Sequence, residues 1–323
     1  MSEEPTVSVV IPTYDRPEML QRAVESVVQQ TYDSVELLVV DDHSPTPASE
    51  TLERIETDTL RSVECIRHDE NRGGSAARTT GIEAASGAWV AFLDDDDEWK
   101  PTKLEKQVER VTSASGDVVL VYTGIRQVGE DGSTNAVKTP AEEGNALEQL
   151  LYGNFIGSYS AVMVRLKAID AVGPPDDRFP SWQDWEWYLR LAQYGDFISV
   201  PEALVIRHNN HEQMSSNFET KLNTSYPLIL GTGLPIAKEL DMERRFEASV
   251  LFELGRAAAG NNQFGSARHH LIQSIKFDPL STSTWLYLIL TSCGKFSFYP
   301  SQVIKRNVLR KLLKLLNTTT TTS

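Results

Sequence analysis

The amino-acid sequence predicts an α/β fold, a mostly parallel sheet between helices, followed by an α-helical C-terminal region. Three observations predict it. Apolar runs of strand length alternate with helical stretches from residue 7 to residue 122, the rhythm of parallel strands joined by crossover helices. Two of these runs stop at carboxylates, Asp41-Asp42 and Asp94-Asp95-Asp96-Asp97. Ligands of open α/β sheets bind beyond the carboxyl ends of strands. From about residue 225 onward only helical patterns remain.

Residues 7–12 form the first predicted strand. Residues 17–30 read as a helix, with Leu20, Val24, Val27 and Val28 on one face. Residues 35–40 are a second strand, 46–57 a polar helix and 63–67 a short strand. Asn71-Arg-Gly-Gly-Ser75 is a turn in which Ser75 can cap a helix running to Ala85. Residues 88–93 are a buried strand. Pro101, a favoured first-turn residue, opens the next helix, and residues 118–122 are another strand. The rhythm then changes. Residues 126–137 read as a hairpin around Asp131-Gly132, and residues 160–164 as a strand. Residues 183–194 form a helix stopped by Gly195, and 197–200 and 203–207 are short strands. Residues 247–278 resemble one tetratricopeptide-like helical pair, which needs a neighbour to pack on.

The 323 residues are 40% hydrophobic and 24% charged, as in a soluble globular protein. Cys65 and Cys293 give no disulfide framework and point to a reducing compartment. The N-terminus lacks the pattern of a signal peptide, and no apolar run reaches the ~18 residues of a spanning helix. A cytoplasmic protein is expected. The net charge is −14, unevenly placed. Residues 1–278 hold all 45 acidic and 25 basic side chains, which gives −20; residues 279–323 hold six basic and no acidic ones, which gives +6. The acidic body argues against a nucleic-acid partner. Together with 19 Arg against 12 Lys, it matches proteins of high-salt cytoplasm.

Four consecutive carboxylates repel one another unless something compensates them, and hard divalent cations take carboxylate oxygens. A metal site is therefore expected at residues 94–97. The alternative is a solvated acidic turn.

Five segments occur in order: Val7-Ser-Val-Val-Ile-Pro-Thr-Tyr-Asp-Arg16, Val39-Val-Asp-Asp-His-Ser44, Asn71-Arg-Gly-Gly-Ser-Ala-Ala-Arg78, Phe92-Leu-Asp-Asp-Asp-Asp97 and Gln183-Asp-Trp-Glu-Trp-Tyr-Leu-Arg190. In these motifs the chain resembles the family 2 glycosyltransferases, inverting enzymes of the GT-A fold. The likeness covers about residues 5–215. The resemblance implies a nucleotide-diphospho-sugar donor, with UDP as the expected nucleotide, and Mn²⁺ or Mg²⁺ as cofactor. The leaving diphosphate needs a cation or fixed dipoles. The family's metal motif maps onto Asp94 and Asp96: Asp96 on the metal, Asp94 on ribose or metal-bound water, with Asp95 also a candidate. Asp42 matches the reader of the nucleobase, its alternative being a helix-capping acid before Thr46. Pro12, Thr13, Tyr14 and Asp15 share that crevice. Arg78 is the cation expected near the diphosphate, the alternative being a surface pair with Glu83 or Asp69. Asp184 matches the general base, and a helix N-terminus should favour its ionised form. Gln183 stands where the family usually has Glu, which removes an acidic role at 183. A closing His on the diphosphate or metal is expected at His211, with His208 the alternative.

Residues 303–317 place Ile304, Val308, Leu309, Leu312, Leu313, Leu315 and Leu316 on one side of a helix and Arg306, Arg310, Lys311 and Lys314 on the other. An anionic membrane surface is the expected partner, with docking on the chain's own acidic body as the alternative. The tail points to a lipid-linked acceptor, such as a polyprenyl or dolichyl phosphate glycan, and to a peripheral place on the cytoplasmic face. The expected division is 1–222 (nucleotide-binding half about 1–115, acceptor half about 116–222) and 223–323. Rival readings are a sugar nucleotidyltransferase, disfavoured because Pro12–Pro17 lacks glycine, and a scaffold acting through its helical region.

Overall fold

The computed structural model describes residues 6–129, 132–140, 144–208 and 217–292. The chain divides into two compact units, Met1–Gln213 and Met214–Ser323. In the first, β1 (Val7–Thr13), α1 (Pro17–Val28), β2 (Val35–Asp41), α2 (Ser49–Leu52), β3 (Ser62–Arg67), α3 (Gly74–Ala84) and β4 (Trp89–Phe92) follow one another. All four strands run parallel, in the order β3-β2-β1-β4. Every residue of β1 is buried. A strand covered on both faces reads as a near-continuous apolar run rather than an alternating one; residues 7–12 do so except at Ser8, whose hydroxyl donates to Glu36 Oε2.

Next come β5 (Asp97–Trp99), α4 (Lys103–Ser113), β6 (Val118–Val128), β7 (Thr134–Lys138), α5 (Leu147–Leu151), β8 (Val162–Arg165), α6 (Leu166–Val172), α7 (Gln183–Ala192) and β9 (Asp196–His208). The full order is β3-β2-β1-β4-β8-β6-β9-β5, with β7 beside β6. β8 is antiparallel to both β4 and β6, and β9 is parallel to β6. Six of the nine described strands therefore share one direction, and β8 brings the start of the second half against β4.

Several elements differ from the sequence expectation. The polar helix at 46–57 is one turn, α2, because Asp41 ties down the preceding loop through Ser44 N and Ala48 N. Residues 159–161 form a 3₁₀ turn rather than the start of a strand. The two short strands at 197–207 are one, β9, with a register shift against β6 at Thr123–Gly124. β5 was not expected at all: three residues carry no period.

Gly81 sets how closely α3 approaches β1. A Cβ there would lie 2.3 Å from Val10 Cγ1. Gly81→Ala gains about 1 kcal/mol in helix propensity, but overpacking costs roughly 1–3 kcal/mol. Val10 is fully buried and has little room to move. The expected outcome is a lower urea midpoint with an unchanged slope.

The second unit holds α8 (Phe218–Thr220), a π-helical turn at Lys221–Ser225, α9 (Tyr226–Glu239), α10 (Glu243–Gly260), α11 (Phe264–Phe277) and α12 (Thr282–Ser292). α10 and α11 form the expected helical pair. Gly255 packs against Leu271, and Ser274 Oγ donates to Ala248 O at 2.7 Å. The tail at 303–317 lies outside the described residues.

Candidate active site

The acidic run is split by the geometry of one turn. β4 ends at Phe92, Asp97 N donates to Asp94 O at 3.0 Å, and residues 97–99 pair antiparallel with β9. The turn sends three carboxylates one way. Asp94, Asp96 and Asp97 offer oxygens all within 4.8 Å of one another. It sends Asp95 the other way: Asp95 Oδ2 accepts from Thr13 Oγ1 at 2.9 Å, and Oδ1 from Arg16 Nη1 at 3.0 Å. Asp95 thus straps the turn to the end of β1, while Asp97, not singled out from the sequence, joins the cluster.

Burial, reinforced by Asp94, raises the carboxyls of Asp96 and Asp97 above the usual range, that of Asp97 strongly. Burial also raises that of Asp95, with Arg16 offsetting part of the effect. Asp97 Oδ1 is buried with no hydrogen-bond partner among the described residues. A crowd of hard oxygens with an unsatisfied buried member fits a divalent cation such as Mn²⁺ or Mg²⁺.

Ser160 holds the turn in shape. Its hydroxyl donates to Asp97 Oδ2 at 2.6 Å and accepts from Asp94 N at 3.1 Å, and its carbonyl accepts from Trp99 Nε1 at 2.8 Å. No sequence pattern marks it, because it comes from the 3₁₀ turn some 60 residues away. Ser160→Ala takes the hydroxyl partner from a half-buried N–H and from a buried carboxylate oxygen. A loss of about 1–3 kcal/mol is expected in urea titration, together with weaker metal activation.

Arg78, on α3, is buried rather than paired with Glu83 or Asp69. Its Nη2 donates to Asp94 Oδ1 at 2.5 Å, and its guanidinium lies 4.3 Å from the centre of the Tyr159 ring. Its Nε and the Tyr159 hydroxyl have no hydrogen-bond partner among the described residues. Phe92, Trp187 and Tyr188 surround Tyr159, with ring centres 5.8, 5.9 and 6.2 Å away.

Asp184 stands in the first turn of α7, after Trp182 in the left-handed conformation (φ 65°). Its Oδ1 accepts from Trp185 N and its Oδ2 from Asn154 Nδ2, both at 2.8 Å. Burial raises its carboxyl above the usual range, against the hydrogen bond from Trp185 and the charge of Arg78. The expectation that the helix N-terminus would favour the ionised form is therefore corrected. Desolvation by burial outweighs it. Arg78 acts electrostatically on both Asp94 and Asp184, so these three residues, with Asp96 and Asp97, form one charged group.

The other expected residues lie at the neighbouring strand ends. Pro12 is buried in β1 opposite Val40, Tyr14 is 46% exposed, and Asp15 (φ 53°) donates its N–H to Ser44 Oγ at 2.9 Å. Asp42 Oδ1 accepts from Arg72 N at 2.8 Å and sits 2.8 Å from His68 Nδ1, while Oδ2 accepts from Gly73 N at 2.7 Å. The loop-tying role before Thr46 belongs to Asp41. Burial works against the Asp41 carboxylate, but hydrogen bonds from Ser44 and Ala48, with Arg67, hold its pKa below the usual range. Arg67, His68, Asp69, Glu70 and Arg72 line a cleft of about 460 Å³ beside Asp42. His208 Nε2 lies 2.6 Å from Glu98 Oε1. His211 falls outside the described residues.

Residues 8–173, just over half the chain, match the sequence model of glycosyl transferase family 2. The chain belongs to glycosyltransferase family 2. Membership implies inversion at the anomeric carbon and sets aside the nucleotidyltransferase reading. Among relatives, the chain is 31% identical over 192 residues to TuaG of Bacillus subtilis, described as a candidate teichuronic acid biosynthesis glycosyltransferase. That match covers 59% of this chain and 74% of TuaG. It is 31% identical over 206 residues to the glycosyltransferase AglE of Haloferax volcanii, covering 63% and 67%. The fold is similar to that of S. aureus TarS 1-349 in complex with UDP-GlcNAc, at TM-score 0.56 and 16% identity, covering 84% and 88%. It is also similar to the mannosyltransferase PcManGT from Pyrobaculum calidifontis in complex with GDP-Man and Mn²⁺, at TM-score 0.57 and 16% identity, covering 90% and 87%. The expected GT-A fold is thus present in this family 2 glycosyltransferase. Among its described residues, no helix is long and apolar enough to cross a membrane.

Proposed function

We propose that this family 2 glycosyltransferase is a metal-dependent hexosyltransferase. It moves a sugar from a UDP-sugar to a hydroxyl of a lipid-linked glycan used in surface polysaccharide or glycoprotein assembly. One observation carries the metal-dependent reading: Asp94, Asp96 and Asp97 converge with a buried, partnerless oxygen, Asp97 Oδ1. Asp96, with Asp94 and Asp97, would hold Mn²⁺ or Mg²⁺, which supplies counter-charge to the departing diphosphate. PcManGT's complex with GDP-Man and Mn²⁺ supports the metal by analogy.

The chain's own side chains do the rest. Asp184 takes the proton from the acceptor hydroxyl as that oxygen attacks the anomeric carbon from the face opposite the leaving group. Arg78, held on Tyr159, adds positive charge beside the diphosphate. Asp42 keeps one lone pair on Oδ2 beyond its contacts with His68, Arg72 and Gly73, enough to accept the imide hydrogen of uracil. Pro12, Thr13, Tyr14 and Asp15 shape the floor of the nucleoside crevice, and Asp95 fixes its distance from the metal cluster through Thr13 and Arg16. His211 closes over the diphosphate or metal. The functional division at 222 and 223, the basic tail as a peripheral attachment to the cytoplasmic face of the membrane, and a high-salt cytoplasm belong to the same reading.

Donor hydrolysis should be screened across UDP-, GDP- and dTDP-sugars, with Mn²⁺ and with EDTA. Selective, metal-dependent release of UDP is expected. Turnover in EDTA would remove the metal, and preference for a GDP-sugar would remove the uridine assignment of Asp42.

A further inference from the structure

Among the described residues, the second unit carries an exposed apolar cluster that sugar transfer does not use. Trp285 and Ile289 stand one turn apart on α12 and are 46% and 58% exposed; Leu280, in the turn before it, is 88% exposed. Trp285 Nε1 donates to Pro279 O at 2.9 Å, which lays the indole against the turn bearing Leu280. Single exposed apolar residues need no explanation, but neighbouring ones with no charge among them do. Residues 279–292, the turn and all of α12, contain no charged side chain.

The charge pattern says what covers this cluster. From residue 279 to the end of the sequence there are six basic and no acidic residues, against −20 for the rest of the chain. A second copy offers no opposite charge in this part of its sequence, since from residue 279 onward its charged side chains too are all basic. An anionic lipid surface attracts them, and an indole beside aliphatic side chains suits the interfacial layer. We propose that Leu280, Trp285 and Ile289 form a membrane-docking face that inserts into an anionic lipid surface. This deepens the membrane reading given above for the basic tail and rests on it, but not on the roles of Asp96 or Asp184.

The test is co-sedimentation with phosphatidylglycerol and with phosphatidylcholine vesicles. It compares the full chain, the triple variant Leu280→Ser, Trp285→Ser, Ile289→Ser, and a variant with Lys305, Arg306, Arg310, Lys311 and Lys314 changed to Gln. The three cluster residues are exposed, so circular dichroism and donor hydrolysis should be unchanged in the triple variant. Binding of the full chain to phosphatidylglycerol is expected, with a loss of about tenfold or more in the triple variant, each tenfold being 1.4 kcal/mol. If the triple variant binds as well as the full chain while the Gln variant does not, the tail alone attaches the protein and the docking face is overturned. If none of the three binds, the membrane reading falls with it. A full chain that is dimeric by light scattering, ignores vesicles and becomes monomeric in the triple variant would assign the face to a second copy instead.

Discussion

Asp96→Ala is expected to abolish metal-dependent transfer and, at the same time, to stabilise the metal-free protein. The two effects have one cause. Asp96 stands beside Asp94 and Asp97 with too little compensating charge, so burial and its neighbour raise its carboxyl. Removing it relieves repulsion in the empty cluster and deletes a ligand from the filled one. Mn²⁺ should raise the melting temperature of the unmodified protein, by the equivalent of about 2.7 kcal/mol at one hundred times Kd, and leave that of the variant unchanged. The pH dependence has a definite sign. The folded chain holds the protons of Asp96 and Asp97 to higher pH than the unfolded chain does. Metal-free stability should therefore fall as pH rises from the ordinary carboxylate pKa through the raised ones. Calorimetry with and without Mn²⁺ reads all of this. Full activity of the unmodified protein in EDTA is the result that would refute the metal role.

Asp184→Asn should leave donor binding nearly intact and lower turnover by roughly 10²–10⁴, the usual weight of a general base. Burial raises the Asp184 carboxyl, so unmodified turnover should decline on the acid side as pH falls through that raised pKa. In the variant this limb should be absent. The substitution has a local cost. Asn154 Nδ2 faces Asp184 Oδ2, and Asn154 Oδ1 already accepts from Ile156 N at 3.1 Å and Gly157 N at 2.9 Å. A new amide NH₂ at 184 would meet another donor that cannot turn over freely. A urea titration separates this strain from lost chemistry. A variant that binds donor poorly but turns over normally would mean that residue 184 serves the donor and not the acceptor.

The sequence by itself determined the alternation of strands and helices, because a strand buried on both faces is mostly apolar along its length, as β1 is apart from Ser8 and Thr13. It also determined the family, through motifs carried on contiguous residues, and the charge division at residue 279. Tertiary structure decided how the four consecutive carboxylates divide. Nothing local separates Asp95 from its neighbours. Capture of residues 97–99 by β9, paired about 110 residues away, and the bonds from Thr13 and Arg16 turn Asp95 out and bring Asp97 in. The same applies to Ser160, which reaches the acidic turn only because β8 inserts antiparallel between β4 and β6. It applies to Asp184 as well. Its place at a helix start is written in the sequence, but the sign of its pKa shift comes from its burial in the folded chain and from the charge of Asp94 nearby. Side-chain direction in a tight turn and the dielectric around a carboxylate are set by long-range pairing and packing, which contiguous residues do not encode.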